Sequence, residues 1–375
     1  MEVSKLYNLT DEIVRKEGES EIDTLFGQIL TSLTTLKSNP NNPTILETYE
    51  KNKTSLITKL RESELNELTP SNLKIAHNIG AVAYIGNTLA DNIENLLSIN
   101  SFNITAVVTE FQKLQTEREE YFSNLTTLND IFKSFKIKMH WWNDSDSYEI
   151  GIMVPTGITN DHRIPKVTKH LNKWNQIIKD FNEVTGSHTD DIKIAFQDIG
   201  TLEYFFQSPE LTATAIVTGI ERLAALYKKI LEIRKLRQDL KKLDFPKKEQ
   251  ATIAKHESDV SEKEIKQITN DIFSEHGKKK FEGTRRNELK NAVTLHLKWI
   301  AKQIDKGEII EVNTPGLNEP EQKDKSDEDF KKIKNKYEVD KAKIDLLKSK
   351  ANLFKEITGT AKNVFKFLKS PDEEE

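Results

Sequence analysis

The stretch FKIKMHWWNDSDSYEIGIMV, residues 135–154, interrupts the helical rhythm of the chain and decides the fold class. Phe135, Ile137, Met139 and Trp141 alternate with Lys136, Lys138 and His140. Asn143 to Ser147 is polar turn chemistry, and Tyr148, Ile150, Ile152 and Val154 then alternate again. Side chains on a strand leave it on opposite faces, so two such runs around a polar loop predict a β-hairpin.

The pattern downstream extends this unit. Val167, Leu171, Trp174, Ile178 and Phe181 give a helix over 166–184. Ile192, Ile194 and Phe196, followed by Leu202, Tyr204 and Phe206, give a second alternating pair. Ser208-Pro209-Glu210 reads as a helix start, with an apolar stripe from Ile216 to Leu243 at spacings of three and four. The order ββαββα predicts an α+β domain whose antiparallel sheet is covered by helices. Further helices are expected near 262–273 and from Arg285 to Asp305, where Gly307 ends the second. The short run 308–312 is read as an extra strand.

Upstream, residues 1–133 show helical spacing throughout and are expected to form a bundle. One long central helix is predicted over Leu73–Leu97, and another over Asn103–Phe135. Residues 314–329, with two prolines and many acids, read as a linker. Beyond it, Phe330, Ile333, Tyr337, Ile344, Leu347, Ala351, Phe354, Ala361, Phe365 and Leu368 occupy a and d positions of one heptad frame, which only Asp340 and Thr358 break. The predicted organisation is therefore mainly α with a small α+β domain: a bundle (1–133), the α+β domain with long helices (134–313), an acidic linker (314–329), and a coiled-coil-like helix with an acidic tail (330–375).

Composition agrees with long helices. Gly and Pro, the helix breakers, number only 14 and 10 in 375 residues, and 31% of the residues are charged against 36% apolar. With no Cys, a disulfide framework, a thiolate metal site and a Cys nucleophile are excluded. The charged first 16 residues carry no apolar core of a secretory signal, so a cytosolic protein is expected. Lys greatly outnumbers Arg, which points to an AT-rich bacterial genome. The longest apolar run, Leu211–Tyr227, is broken by Glu221 and Arg222 and is too short for a membrane span.

No P-loop, GxGxxG, GxSxG or HExxH motif occurs, which argues against the common nucleotide, hydrolase and metalloprotease classes. His162 and His170 are eight residues apart, the wrong spacing for a ligand pair on one helix face even with Asp161 and Asp180 nearby, and a hydrogen-bonded His is the simpler reading. His188, Asp190 and Asp191 suit a turn as well as a metal or acid–base site. His140 and Trp142 point to the face opposite Trp141. There they form either an exposed binding patch beside Lys138 or a face covered by a second layer.

Charge is segregated. Residues 1–133 carry 12 basic and 19 acidic side chains, whereas 228–306 carry 21 and 13. Lys278, Lys279, Lys280, Arg285, Arg286 and Lys290 cluster at a helix start opened by Thr284, where cations and free N–H groups would meet an anion or a nucleic-acid backbone. A solvated basic loop is the alternative. The amphipathic segment 354–369 could touch an anionic membrane, which the acidic tail 372–375 opposes.

The main expectation is an interaction or scaffold protein without cofactor or metal. Its seam of Phe330, Ile333, Tyr337, Ile344, Leu347, Phe354, Phe365 and Leu368 would be buried against a second copy or a protein partner. Anion or nucleic-acid binding through 278–290 is the first alternative. An enzyme lacking a short motif is the second.

Overall fold

The computed structural model describes residues 3–99, 103–137, 148–154, 164–187, 194–198, 202–242, 247–279, 281, 284–315, 320, 327–355 and 364–365. The chain separates into two compact units, 1–141 and 142–375.

The first unit is helical: α1 (Val3–Gly18), α2 (Ile22–Ser38), α3 (Pro43–Arg61), α4 (Pro70–Asn78), α5 (Gly86–Ile99) and α6 (Ile104–Ser134). Side-chain caps define three of the starts. Asn42 accepts from Thr44 and Ile45 N–H, Thr69 from Asn72 N–H, and Asn103 from Ala106 N–H. Phe26, Ile29, Leu60, Leu89, Ile93 and Phe111 form one buried cluster, and Leu9, Ile13, Leu65, Ile75, Ile85 and Leu125 form another.

The predicted central helix over 73–97 is two helices. Gly80 and Gly86 both take positive φ, 76° and 54°, and a short 3₁₀ turn over Ala81–Tyr84 lies between them. The apolar periodicity persists across the break, so the period alone conceals it, and the glycines mark it.

One polar group is locked inside this unit. The Arg118 guanidinium, 2% exposed, pairs with Glu17 and Asp23, donates to the Tyr84 carbonyl at 3.3 Å and lies over the rings of Phe26 and Phe122. It ties α1, α2 and α6 together, because burying a guanidinium is tolerated only when its donors are matched.

The second unit contains an antiparallel sheet of β1 (Tyr148–Val154), β2 (Ile194–Asp198), β3 (Leu202–Ser208) and β4 (Ile309–Asn313), in the order β2-β3-β1-β4. Its helices are α7 (Ile164–Thr185), α8 (Glu210–Lys242), α9 (Lys247–Glu275), α10 (Arg285–Asp305) and α11 (Asp327–Lys355). Ile150, Ile152, Tyr204, Phe206, Ile310 and Val312 share the core with Trp174 and Phe181 of α7, Ile216 and Ile220 of α8, Ile272 of α9 and Val293, Leu297 and Ile300 of α10. The opposite face is also buried at Glu149, Met153, Glu203, Phe205 and Glu311. Gly151 stands there between Phe205 and Glu311, where no Cβ fits.

Several sequence expectations are corrected. Phe135 and Lys136 are not the start of a strand; they form the turn that ends α6, with Lys136 at φ 53°. The rest of that predicted strand, 138–141, lies outside the described residues. Helix α9 starts at Lys247, well before 262. The presumed linker is helical from Asp327, where acids favour a helix start. Pro209 takes the position before α8, while Ser208 is the last residue of β3.

Candidate functional site

The heptad helix is anchored on its own unit. Lys343 pairs with Glu210 at 3.3 Å and Lys350 with Glu221 at 3.0 Å, so α11 runs parallel to α8. Ile344 and Leu347 are buried, and Ala351 packs on the core of the unit. Phe365 is fully buried as well. This corrects the seam read from the sequence, since Ile344, Leu347 and Phe365 are sheltered by the same chain and offer nothing to a partner. Phe330 and Tyr337 are half-buried and Ile333 is 39% exposed. The side chains of Phe354 and Leu368 lie outside the described residues.

A second stripe runs along the opposite side of α11. Val339, Ala342, Leu346 and Ser349 recur at spacings of three and four, and all are exposed, Val339 by 56% and Leu346 by 58%. At 100° per residue they share one face. Lys336, Lys343 and Lys350 border that face on one edge, and Glu338 and Asp345 border it on the other. The heptad frame concealed this stripe because the larger residues at a and d dominate the pattern. Its own signal is the pair Val339 and Leu346, one heptad apart.

No known protein family matches the chain, and no curated protein or solved structure is significantly similar to it. The reading of its surfaces therefore rests on their chemistry.

Part of the basic segment is engaged with the protein itself. Arg285 donates to both carboxylate oxygens of Glu183, at 2.8 and 2.7 Å, and to Glu288 at 3.0 Å. These bonds hold its guanidinium even more firmly protonated than usual. Lys290 donates to Asn270 at 2.7 Å and lies over the Phe273 ring, and Lys278 lies over Phe281. Lys279 and Arg286 are exposed, and Lys280 lies outside the described residues. Thr284 occupies the N-cap position in helical geometry and makes no side-chain cap. Glu183 and Glu288 thus occupy the Arg285 guanidinium, one of the cations that an incoming phosphate would meet.

Two histidine–carboxylate pairs join α7 to the α10–β4 segment. His170 Nε2 meets Glu308 at 2.8 Å, and Trp174 Nε1–H donates to the other Glu308 oxygen at 3.1 Å. Tyr204 Oη lies buried without a hydrogen-bond partner among the described residues. Burial, with the charge of Glu308, pushes its phenol up. Deeper in the unit, His296 Nε2 meets Asp180 at 2.6 Å, and Gln176 donates to the second Asp180 oxygen at 2.9 Å. Burial works against the Asp180 carboxylate, and the His296 and Gln176 hydrogen bonds outweigh it and hold its pKa below the usual value. Sequence reasoning missed Glu308 and His296, which reach α7 only through tertiary folding.

The other ring nitrogen of His296, Nδ1, is buried without a hydrogen-bond partner among the described residues. His296 is only 4% exposed, so bulk substrate does not reach it. Among the described residues no group of three or more His, Asp or Glu is arranged to hold a metal ion. Likewise, no helix is long and apolar enough to cross a membrane. His140, Trp142, His162, His188, Asp190 and Asp191 lie outside the described residues.

Proposed function

We propose that the chain is an interaction protein that pairs with a second copy of itself through the outer face of α11. The observation that carries this reading is the exposed stripe Val339–Ala342–Leu346–Ser349, edged by lysines on one side and carboxylates on the other. In a parallel pair like residues of the stripe meet in register, and Lys336 of each copy stands on the edge that faces the other copy's carboxylates, while Lys343 and Lys350 keep their pairs with Glu210 and Glu221 of their own chain. An antiparallel pair would set lysines against lysines, so the charge pattern favours one orientation.

A stripe of four residues on one helix is small beside the roughly 1,200–2,000 Å² that specific, stable interfaces bury in total. The expected complex is therefore weak and exchanging, which suits assembly that responds to concentration. The inner stripe contributes rigidity, because Ile344 and Leu347 fix the rotation of α11 on its unit and so determine which residues face outward.

Sedimentation equilibrium on the full chain tests the proposal. Wild type is expected to show monomer–dimer exchange at micromolar concentration, and Leu346→Lys to weaken it by about tenfold or more. A strictly monomeric wild type, or a dimer indifferent to Leu346→Lys, contradicts it.

A further inference from the structure

A different surface of the second unit holds a peptide segment by its backbone. Asp305, the last residue of α10, accepts hydrogen bonds from two successive amides, Val364 N–H at 2.6 Å and Phe365 N–H at 3.0 Å, one on each carboxylate oxygen. Arg234 of α8 donates to the Val364 carbonyl at 2.7 Å. The Phe365 ring lies against Tyr227, with centroids 5.7 Å apart, and both Val364 and Phe365 are fully buried. A carboxylate across two neighbouring N–H groups and a guanidinium on the intervening carbonyl recognise the shape of a turn. The buried side chains of the resident segment are an aliphatic residue followed by an aromatic one, the latter against Tyr227.

We infer that Asp305, Arg234 and Tyr227 form a peptide-recognition site, filled in cis by Val364-Phe365, which accepts an aliphatic–aromatic turn from another chain when its own leaves. None of these contacts depends on the occupant's covalent connection to α11. Two of the three polar contacts are made to N–H groups and the third to a carbonyl, all of which any such dipeptide provides. Connection matters only for competition, since a tethered occupant acts at an effective concentration on the order of mM, and a free peptide must exceed that to displace it. This site is separate from the outer face of α11, and neither proposal depends on the other.

The probe is a fluorescent peptide of sequence AKNVFKFLK, matching residues 361–369, titrated against full-length protein and read by anisotropy. Phe365→Ala, which empties the aromatic position of the resident segment, is expected to bind it at least tenfold more tightly than wild type. Adding Asp305→Asn to that variant is expected to cost tenfold or more, and a peptide with Ala in place of its first Phe is expected not to bind. Absence of binding to folded Phe365→Ala, or binding indifferent to Asp305→Asn, overturns the inference. Should Phe365→Ala not fold, wild type with the peptide in large excess decides by amide hydrogen exchange. Faster exchange at Val364 and Phe365 supports displacement, and unchanged exchange overturns it.

Discussion

The carboxylate of Asp305 accepts the backbone N–H of Val364 at 2.6 Å across 59 residues of sequence. Burial pushes the Asp305 carboxyl up, while the two amide bonds and the Arg234 charge oppose that rise. Asp305→Ala leaves two buried amides without acceptors. It is expected to cost about 2–3 kcal/mol at this contact, because hydrogen bonds to a charged acceptor are the stronger kind. Hydrogen exchange at the Val364 and Phe365 amides checks it, with protection falling by about that free energy.

Glu17 gives the helical unit a pH dependence of defined sign. Burial is the main cause that pushes its carboxyl up to about 7, the neighbouring Asp23 adds to the rise, and Arg118 opposes it. The folded-state value exceeds the unfolded one, so the folded unit holds the proton more tightly. This contribution is fully present below the unfolded value of 4.5 and is lost as pH rises through about 7. The loss amounts to about 3 kcal/mol. Urea unfolding of wild type and Glu17→Gln at pH 5 and pH 8 tests this: the wild-type stability is expected to fall more steeply, and equal slopes contradict it.

Gly151 is fixed by the crowding of the sheet. A Cβ there would sit 2.5 Å from a Phe205 ring carbon and 2.7 Å from Glu311 Cγ. Phe205 is fully buried and cannot retreat cheaply. Gly151→Ala is expected to destabilise the second unit by about 1–3 kcal/mol, the usual cost of overpacking. A lowered thermal midpoint with retained far-UV dichroism is the predicted outcome.

What the sequence disclosed follows from which forces are local. The predominance of helices and the strand at Tyr148–Val154 are visible in periodicity, and the run read at 308–312 lies one residue further on in the structure, as β4 over Ile309–Asn313. The division at Gly80 and Gly86 is visible only to a reader who gives glycine more weight than apolar spacing. The inner stripe of α11 was evident as a pattern, but a pattern says only that a face is buried. That α8 and the core of the same unit cover Ile344 and Leu347 is tertiary information. The partners of Arg285, His170 and Asp180 were invisible for the same reason: Glu183, Glu308 and His296 lie 102, 138 and 116 residues from them.

Arg285 is expected to behave as a structural cation. Its fork on Glu183 links α10 to α7 at an exposed site, where solvent and salt screen the attraction. Arg285→Ala is therefore expected to cost no more than about 1 kcal/mol. Arg285→Lys is expected to restore only part of this, because an ammonium cannot bridge both oxygens in the planar manner of a guanidinium. Urea midpoints of the two variants at low and high salt check it, and the differences should shrink as salt is added.

The absence of native cysteine makes the association of α11 directly readable. Single cysteines at Val339, Ala342 and Leu346, each in an otherwise wild-type chain, are exposed to mild oxidation at micromolar protein and resolved by non-reducing electrophoresis. A parallel, in-register pair brings each residue beside its own counterpart, so all three variants are predicted to form disulfide-linked dimers, while a single cysteine at exposed Lys348, away from the outer stripe, remains monomeric. Failure of all three to cross-link, or cross-linking at Lys348 as readily as at Leu346, would contradict the account.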